Sequence, residues 1–347
     1  MRILFTTTPG ARNFGPVRTF AQAWQRLGHE VMVVVDPSGS DMVSDAGLDC
    51  HPLDPDCRLD LRVAYEGIVG AIGAIKPDLV VHETAEYATV LAGEATGVPV
   101  ARVAVVSGTQ ELAAAAVAAP TVDSLRAELG LARDPEGARI LSGRGITLIP
   151  AALEDPTAHV SLERYRGPKP WPRRLPDLWG SDASPLAHLT LGARRAAVHR
   201  HGIEQLASLQ VRVLISLGAG QDPAELGPLP GGAQLNPGMP LLDTMPYTSV
   251  LVCDGASSTL TAGLSCGVPM VAVPLSSGQA LNAHAMADTG AGLALDGGSA
   301  ALGAIATAVR SMLRSQHYRT AAEAVAAEIA SCPPVEDALG APSLTSA

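Results

Sequence analysis

Short apolar runs rich in β-branched residues alternate with helix-like segments along this chain of 347 residues. This alternation constrains the fold more than any other feature. The first strands are predicted at "RILFTT" (2–7), "HEVMVVVD" (29–36) and "PDLVVHE" (77–83). Strands that alternate with helices at such spacing form right-handed βαβ units and therefore parallel sheets. The predicted fold class is α/β.

The alternation occurs twice, on either side of a proline-rich stretch. We predict an N-terminal domain at 1–168, a linker at 169–184 and a C-terminal domain at 185–331, because proline-rich segments stay extended and resist packing. The second domain opens with the strand "PLAHLTLG" (185–192). Open parallel sheets bind ligands beyond the carboxyl ends of their strands, so both sheets are expected to face a central cleft.

Several helices and strands are predicted with definite bounds. After the loop "TPGARNFG", a helix is expected to begin at Pro16, which has no N–H to lose, and to end at Gly28. The sequence further predicts a helix at 121–134, a strand at 159–167 and C-terminal helices at about 280–289 and 300–331.

Composition excludes several classes of partner. The net charge is −10, aromatic residues make up 3% of the chain, and no cluster of basic residues is larger than a short pair, so nucleic acid and membrane surfaces are not expected as partners. The apolar part of the N-terminus is too short for a signal peptide, and no run approaches the roughly 18 residues that span a bilayer. Five scattered cysteines without C-x-x-C spacing indicate reduced thiols and no metal site. We expect a soluble, cytoplasmic protein.

The segment "LVCDGASSTL" (251–260) has the pattern of a strand that passes through a turn of small residues into a helix. The unpaired N–H groups at the start of such a helix bind anions, yet Asp254 stands at the entrance and would repel a phosphate. In the simpler interpretation, the small residues only permit a tight connection, and Asp254 lies at the helix N-terminus, where carboxylates are favoured. Asp254 would then occupy the position of a phosphate.

The ordered segments together resemble the GT-B-fold glycosyltransferases that use nucleotide sugars to decorate bacterial natural products. The resemblance runs from "FTTTPGARNFGPVRTFAQAWQRLGHEVMVV" through "PLAHLTLG" to "PLLDTMPYTSVLVCDGASSTLTAGLSCGVPMVAVPLSSGQALNAHAMADTGAGLAL". It implies two Rossmann-like domains, with the acceptor bound by the first and the donor by the second. It also implies a last helix, at about 332–347, that returns to the first domain.

On the acceptor side, the family usually has a histidine as general base three residues before the proline of the first loop. That position is Asn13 here, and an amide cannot accept the proton of the acceptor hydroxyl. Glu83 could serve as the base if desolvation raised its pKa, and His82 is a second candidate. The resemblance assigns acceptor binding to Arg12, Phe14 and Ser107.

On the donor side, the family's diphosphate turn reads His-Gly-Gly-x-Gly-Thr, and Asp254 replaces its histidine. The aspartate of the family's Asp-Gln pair, which holds sugar hydroxyls, is Gly278 here. The donor-binding residues implied by the resemblance are Gly192, Ala193, Gly218, Asp254, Gly255, Ala256, Ser257, Ser258, Thr259, Gln279 and Asn282. No cofactor or metal is implied beyond the donor itself, a dTDP- or UDP-sugar, because helix N-termini would stabilise the departing diphosphate.

Two hypotheses for the function follow. The first is a glycosyltransferase that transfers a sugar from a nucleoside diphosphate to a small natural-product acceptor. The second is a pseudo-glycosyltransferase, in which the fold serves as an auxiliary subunit or supports different chemistry, because the base, the phosphate ligand and the sugar clamp are all substituted. A homodimer or an auxiliary protein partner is compatible with either hypothesis.

Overall fold

The structure, a computed structural model, divides into two compact units. It describes residues 1–8, 11–58, 60–171, 174–192, 196–218 and 221–340. Unit 1 comprises Met1–Ile149, Glu154–Pro168 and the chain from Cys332 to the last described residue. Unit 2 comprises Pro150–Leu153 and Lys169–Ser331.

Unit 1 is built on a parallel sheet whose strands and helices alternate. Its strands are β1 (Arg2–Thr6), β2 (Glu30–Val35), β3 (Asp49–Pro52), β4 (Leu79–Glu83), β5 (Val100–Ala104), β6 (Arg144–Thr147) and β7 (Glu163–Arg164). Its α-helices are α1 (Ala11–Arg26), α2 (Ser40–Asp45), α3 (Leu61–Ile75), α4 (Ala88–Thr96) and α5 (Gly108–Glu128).

The order of the strands places a topological switch point in this sheet. Within the described residues the order is β3-β2-β1-β4-β5-β6-β7, and all pairs are parallel. The chain leaves β1 toward one edge and returns at β4 toward the other, so the carboxyl ends of β1 and β4 flank the position where such sheets bind ligands. All five residues of β4 are buried, as in parallel sheets covered on both faces.

Unit 2 repeats this plan with a second parallel sheet. Its strands are β8 (Leu186–Thr190), β9 (Arg212–Ile215), β10 (Ala233–Leu235), β11 (Val250–Cys253), β12 (Met270–Ala272) and β13 (Gly292–Ala294). Its α-helices are α6 (Ala196–Ala207), α7 (Leu241–Thr244), α8 (Ser257–Ser265), α9 (Ser277–Asp288), α10 (Ile305–Arg314) and α11 (Gln316–Ser331). In the described part of the chain the strand order is β10-β9-β8-β11-β12-β13, so the switch point lies between β8 and β11. The two parallel sheets confirm the predicted α/β class.

The first helix begins earlier than predicted. It begins at Ala11, and Pro16 lies within it, although proline removes one helical hydrogen bond. Burial of Phe14 and Val17, which are at most 2% exposed, offsets that loss. The predicted loop is therefore wrong from residue 11 onward, and Asn13 is helical.

The fifth helix also differs from its prediction. It begins at Gly108 and continues through the run 113–119, in which six of the seven residues are alanine, the strongest helix former. It ends at Glu128 instead of residue 134, and Gly130 follows with a positive φ of 71°. Residues 108–110 are therefore helical, and Ser107 precedes the helix as its extended N-cap residue.

Three predictions near the chain's later segments need correction. Of the strand predicted at 159–167, Glu163–Arg164 forms strand pairs. The helix predicted at 300–331 is interrupted at Ser315, which is extended. The last helix, predicted at 332–347, is a 3₁₀ turn at Val335–Leu339, because two prolines before it cannot continue an α-helix.

The C-terminal turn is part of the core of unit 1. The indole N–H of Trp24, whose side chain is completely buried, donates to the carbonyl of Val335 over 3.1 Å. Residues 341–347 lie outside the described residues. Among the helices that the structure describes, none is long and apolar enough to cross a membrane.

Candidate functional site

The switch point of unit 1 holds a chain of three polar side chains. The Asn13 amide Nδ2 on α1 donates to Oγ1 of Thr8, which follows β1, over 2.9 Å. That hydroxyl donates in turn to Oε1 of Glu83, the last residue of β4. The register that pairs Thr6 with His82 brings these strand ends together. Asn13, at the position of the family's base, and Glu83, the candidate base, are thus linked through Thr8, a residue that the sequence had not singled out.

The Glu83 carboxylate is completely buried. Its Oε1 also accepts the backbone N–H of Thr8 (3.3 Å), and its Oε2 accepts the N–H of Ala85 (2.8 Å). Burial raises the pKa of Glu83 above its usual range, because a charged carboxylate is poorly solvated there, while these hydrogen bonds act in the opposite direction. The carboxylate therefore has an increased proton affinity but no exposed oxygen.

His82, the second candidate base, points into the protein. It is 3% exposed, and its Nδ1–H donates to the carbonyl of Glu83 over 2.9 Å. Burial, and then the charge of Arg102, lower the pKa of His82 to about 4. A buried imidazole that is already neutral and bonded to the backbone is a packing group at neutral pH. The structure therefore argues against His82 as the base.

A second carboxylate lies one turn beyond Glu83. Glu86 is almost completely buried, and its Oε2 accepts both the N–H (3.1 Å) and the hydroxyl of Thr89. Burial, supported by the charge of Glu83, raises the pKa of Glu86 to about 7. The negative charge of Glu83 thus favours the protonated form of Glu86.

The residues assigned to acceptor binding lie in different surroundings. Phe14 is 2% exposed and packs in the core of unit 1, and Arg12 lies in the first turn of α1. Ser107 is the half-buried N-cap residue of α5, but it makes no capping hydrogen bond. The N–H of Gly108 instead donates to Oε2 of Glu154 over 2.8 Å.

In unit 2, the Asp254 carboxylate is turned away from solvent. It is 4% exposed, its Oδ1 accepts the N–H of Ala256 (3.1 Å), and its Oδ2 accepts the amide N–H of Gln279. Helix α8 begins at Ser257 with Ala256 as its N-cap, so Asp254 does not cap it. Asp254 lies two residues before this N-cap and accepts its N–H, and the idea that its carboxylate takes the place of a phosphate stays a prediction.

The partner of Asp254 is fixed at both ends of its side chain. Gln279 on α9 is 3% exposed, and its Oε1 accepts the N–H of Leu275 over 2.9 Å. Asn282, one turn further along α9, donates its amide to the carbonyl of Gly255 over 3.1 Å. These contacts tie α9 to the turn that precedes α8.

Two glycines are required by this arrangement. A Cβ on Gly192, just after β8, would lie 2.6 Å from Oδ2 of Asp254. Gly255 has a φ of +82°, and a Cβ there would lie 2.7 Å from the carbonyl oxygen of Gln279. Side chains at either position would displace the Asp254–Gln279 pair.

The remaining donor residues are placed as follows. Ser258, the second residue of α8, is exposed, whereas Ser257 is buried and Thr259 is half-buried. The N–H of Gly218, beyond β9, donates to the side chain of Gln221 over 2.5 Å. Ala193 lies outside the described residues.

The described residues form no cluster that is suited to a metal ion. Among the residues that the structure describes, no group of three or more His, Cys, Asp or Glu side chains is arranged to hold an ion. The arrangement instead offers a buried carboxylate behind a hydroxyl in unit 1 and an exposed helix N-terminus in unit 2.

Sequence comparisons identify relatives of known activity. Residues 200–340 match the family described as "Erythromycin biosynthesis protein CIII-like, C-terminal domain". The chain is 35% identical over 96 residues to demethyllactenocin mycarosyltransferase of Streptomyces fradiae. The matched segment covers 27% of this chain and 21% of that protein. It is also 31% identical over 180 residues to elloramycin glycosyltransferase ElmGT of Streptomyces olivaceus. Here the matched segment covers 50% of this chain and 45% of that protein. The matched segments thus span less than half the length of these relatives.

A comparison with solved structures extends over nearly the whole chain. The structure of spinosyn rhamnosyltransferase SpnG, complexed with spinosyn aglycone, superposes on this chain with a TM-score of 0.82. The superposition covers 98% of this chain and 99% of that chain, and the sequence identity is 17%. The same protein has also been solved with thymidine diphosphate. The chain has the GT-B fold of these glycosyltransferases, and the resemblance stated from the sequence is confirmed.

Proposed function

We propose that this chain is a glycosyltransferase that transfers a sugar from a dTDP- or UDP-linked donor to a hydroxyl of a small natural-product acceptor. In this proposal unit 2 binds the donor and unit 1 binds the acceptor. The antibiotic glycosyltransferases among its relatives support the reaction class. The thymidine diphosphate and the aglycone in structures of SpnG support the two substrate classes.

The inward orientation of Asp254 is the observation that carries the proposal. Two unit charges about 4 Å apart repel by about 1 kcal/mol in water and by about 4 kcal/mol at an effective dielectric constant of 20. Here both carboxylate oxygens accept N–H groups, and the side chain is 4% exposed. Because charge-assisted hydrogen bonds contribute about 1.5–3 kcal/mol each, a few backbone N–H groups at the start of α8 would outweigh the remaining repulsion.

The chemistry then follows from the two switch points. At the start of α8, N–H groups and the helix dipole would stabilise the negative charge that develops on the departing diphosphate. In unit 1, Glu83 is the candidate base, because its pKa is raised by burial. A base of increased proton affinity is suited to an acceptor hydroxyl near neutral pH.

Calorimetric titration with dTDP and with UDP tests the donor site through Ser258. This residue is exposed in the first turn of α8, so Ser258→Glu adds a negative charge at the proposed phosphate position without burying it. We expect micromolar binding by the wild type, loss of at least about tenfold in affinity for Ser258→Glu, and near wild-type binding for the neutral Ser258→Gln. The charge should leave the fold intact, because carboxylates are favoured at helix N-termini. Equal binding by all three proteins would contradict the proposed site.

Gln279 favours the second candidate function, a pseudo-glycosyltransferase that acts as an auxiliary subunit. The side chain expected to hold sugar hydroxyls is 3% exposed and bonded at both ends within the protein. A folded wild-type protein that binds neither nucleotide at millimolar concentration would support this candidate and exclude the first.

A further inference from the structure

The candidate base cannot reach a substrate directly. The Glu83 carboxylate is completely buried, and both of its oxygens accept hydrogen bonds from within unit 1. Thr8, by contrast, is half-buried, and its hydroxyl donates to Glu83. Any proton that leaves an acceptor for Glu83 therefore needs an intermediate group, and the hydroxyl of Thr8 is bonded to that carboxylate.

We propose that Thr8 passes the proton of the acceptor hydroxyl to Glu83, and that Asn13 is the positioning residue that orients Thr8. The inference rests on the proposed function, because it concerns the acceptor half of the same reaction. It gives Asn13, whose amide cannot accept a proton, a role in orienting the hydroxyl that does.

The direction of each hydrogen bond supports this assignment. A threonine hydroxyl has one hydrogen and two lone pairs. Thr8 gives its hydrogen to Glu83 and uses one lone pair to accept the Asn13 amide. Its second lone pair can accept an acceptor hydroxyl. Because the Thr8 hydrogen is directed to Glu83, Asn13 must present its NH₂ group, and its Oδ1 then points elsewhere.

The step balances in atoms and charge. The acceptor O–H bond breaks, and its proton forms a new O–H bond on Thr8 while the original Thr8 proton moves to Oε1 of Glu83. The electron pair left on the acceptor oxygen forms the bond to the anomeric carbon of the donor. The bond from that carbon to the diphosphate oxygen breaks, and its electron pair leaves with the nucleoside diphosphate. Thr8 ends unchanged, and Glu83 returns its proton to solvent by the reverse path.

Two acceptor probes separate proton transfer from binding. 4-Nitrophenol is acidic enough to react with little help from a base, whereas 4-nitrobenzyl alcohol, one methylene longer, needs its proton removed. We expect Thr8→Val to lower kcat for the alcohol by about 10²–10⁴-fold and to leave kcat for the phenol within about threefold of wild type. Thr8→Ser, which keeps the hydroxyl, should restore turnover of the alcohol. Activity of Thr8→Val on the phenol also shows that the variant is folded.

Two further variants complete the design. Thr7→Val removes the neighbouring hydroxyl, which donates only to the carbonyl of Thr8 over 3.1 Å, and should leave both activities near wild type. Asn13→Ala should lower kcat for the alcohol by about tenfold with little change in KM, because the hydroxyl of Thr8 loses its orientation.

Three results would overturn the relay. In the first, Thr8→Val turns over the alcohol at the wild-type rate. In the second, Thr8→Val loses activity on the alcohol and on the phenol to the same extent. In the third, Thr8→Ser fails to restore activity on the alcohol. In each case the wild type still transfers sugar, so the proposed function survives. If the wild type binds the nucleotide but transfers sugar to neither probe nor to water, the proposed function fails, and the relay fails with it.

Discussion

The pairing of Asp254 with Gln279 leads to a prediction about hydrogen-bond counting. Backbone N–H groups lie at both ends of the pair, from Leu275 at the Gln279 end and from Ala256 at the Asp254 end. The two side chains must therefore supply three acceptors and one donor between them. One carboxylate and one amide meet this requirement. Two amides leave one buried donor facing another donor, whichever way either amide is turned.

Asp254→Asn should thus have opposite effects on stability and on nucleotide binding. Leaving one buried polar group unsatisfied costs about 1–3 kcal/mol, so we expect the free energy of unfolding to fall by about 2 kcal/mol. Removing the negative charge should strengthen dTDP binding by about 1 kcal/mol, or about fivefold, because the turn borders solvent and the charge is screened.

The double variant Asp254→Asn, Gln279→Glu provides the matched control. It restores three acceptors and one donor and keeps the negative charge, now in the first turn of α9, where the helix dipole favours it. Its unfolding free energy should return to within about 0.5 kcal/mol of wild type, and its dTDP affinity should not rise. Urea denaturation and calorimetry measure the two quantities. If the double variant is as unstable as Asp254→Asn, or if Asp254→Asn unfolds at the wild-type urea concentration, the counting argument is wrong.

Two further predictions concern buried charges in unit 1. The pKa of Glu86 is raised to about 7 by burial, so the folded state holds a proton that the unfolded state releases near pH 4.5, and stability falls as the pH rises between these values. Between those pH values the free energy of unfolding of the wild type should fall by up to about 3 kcal/mol, and Glu86→Gln should abolish this fall. Urea denaturation of both proteins at about pH 5 and pH 8 measures the difference. The same pH dependence in both proteins would contradict the raised pKa of Glu86. Glu94→Gln should cost about 2 kcal/mol, because the Arg126 side chain is 1% exposed and bonded to both Glu94 oxygens at 2.7–2.8 Å. Glu128→Gln, which breaks the exposed pair with Arg62, should cost less than about 0.5 kcal/mol, and similar losses for both variants would refute the distinction.

Much of the fold could be predicted from the sequence because a parallel sheet buried on both faces requires continuous apolar strands. The β4 segment, for example, is apolar up to its last two residues, and all five of its residues are buried. Helix starts were less predictable, since local rules conflict with burial. Pro16 is typical of a first turn, but the burial of Phe14 extends α1 in the N-terminal direction.

The sequence predicted candidate residues at strand ends, but it could not predict their contacts. The resemblance pointed to Glu83 at the end of a strand, and the pattern of a strand, a turn of small residues and a helix pointed to Asp254. The inward turn of Asp254 depends on Gln279, 25 residues away, and on the absence of a side chain at Gly192. Thr8 could not be distinguished from its two neighbouring threonines, because its role depends on the direction of one hydroxyl toward Glu83.

The position of a bound diphosphate tests the central claim most directly. A crystal structure of the wild-type protein with dTDP should show a phosphate oxygen about 3 Å from the backbone N–H of Ser258 at the start of α8, with Asp254 still bonded to Gln279. A diphosphate bound away from this helix, or an Asp254 side chain that has left Gln279 and faces the phosphate, would contradict the account.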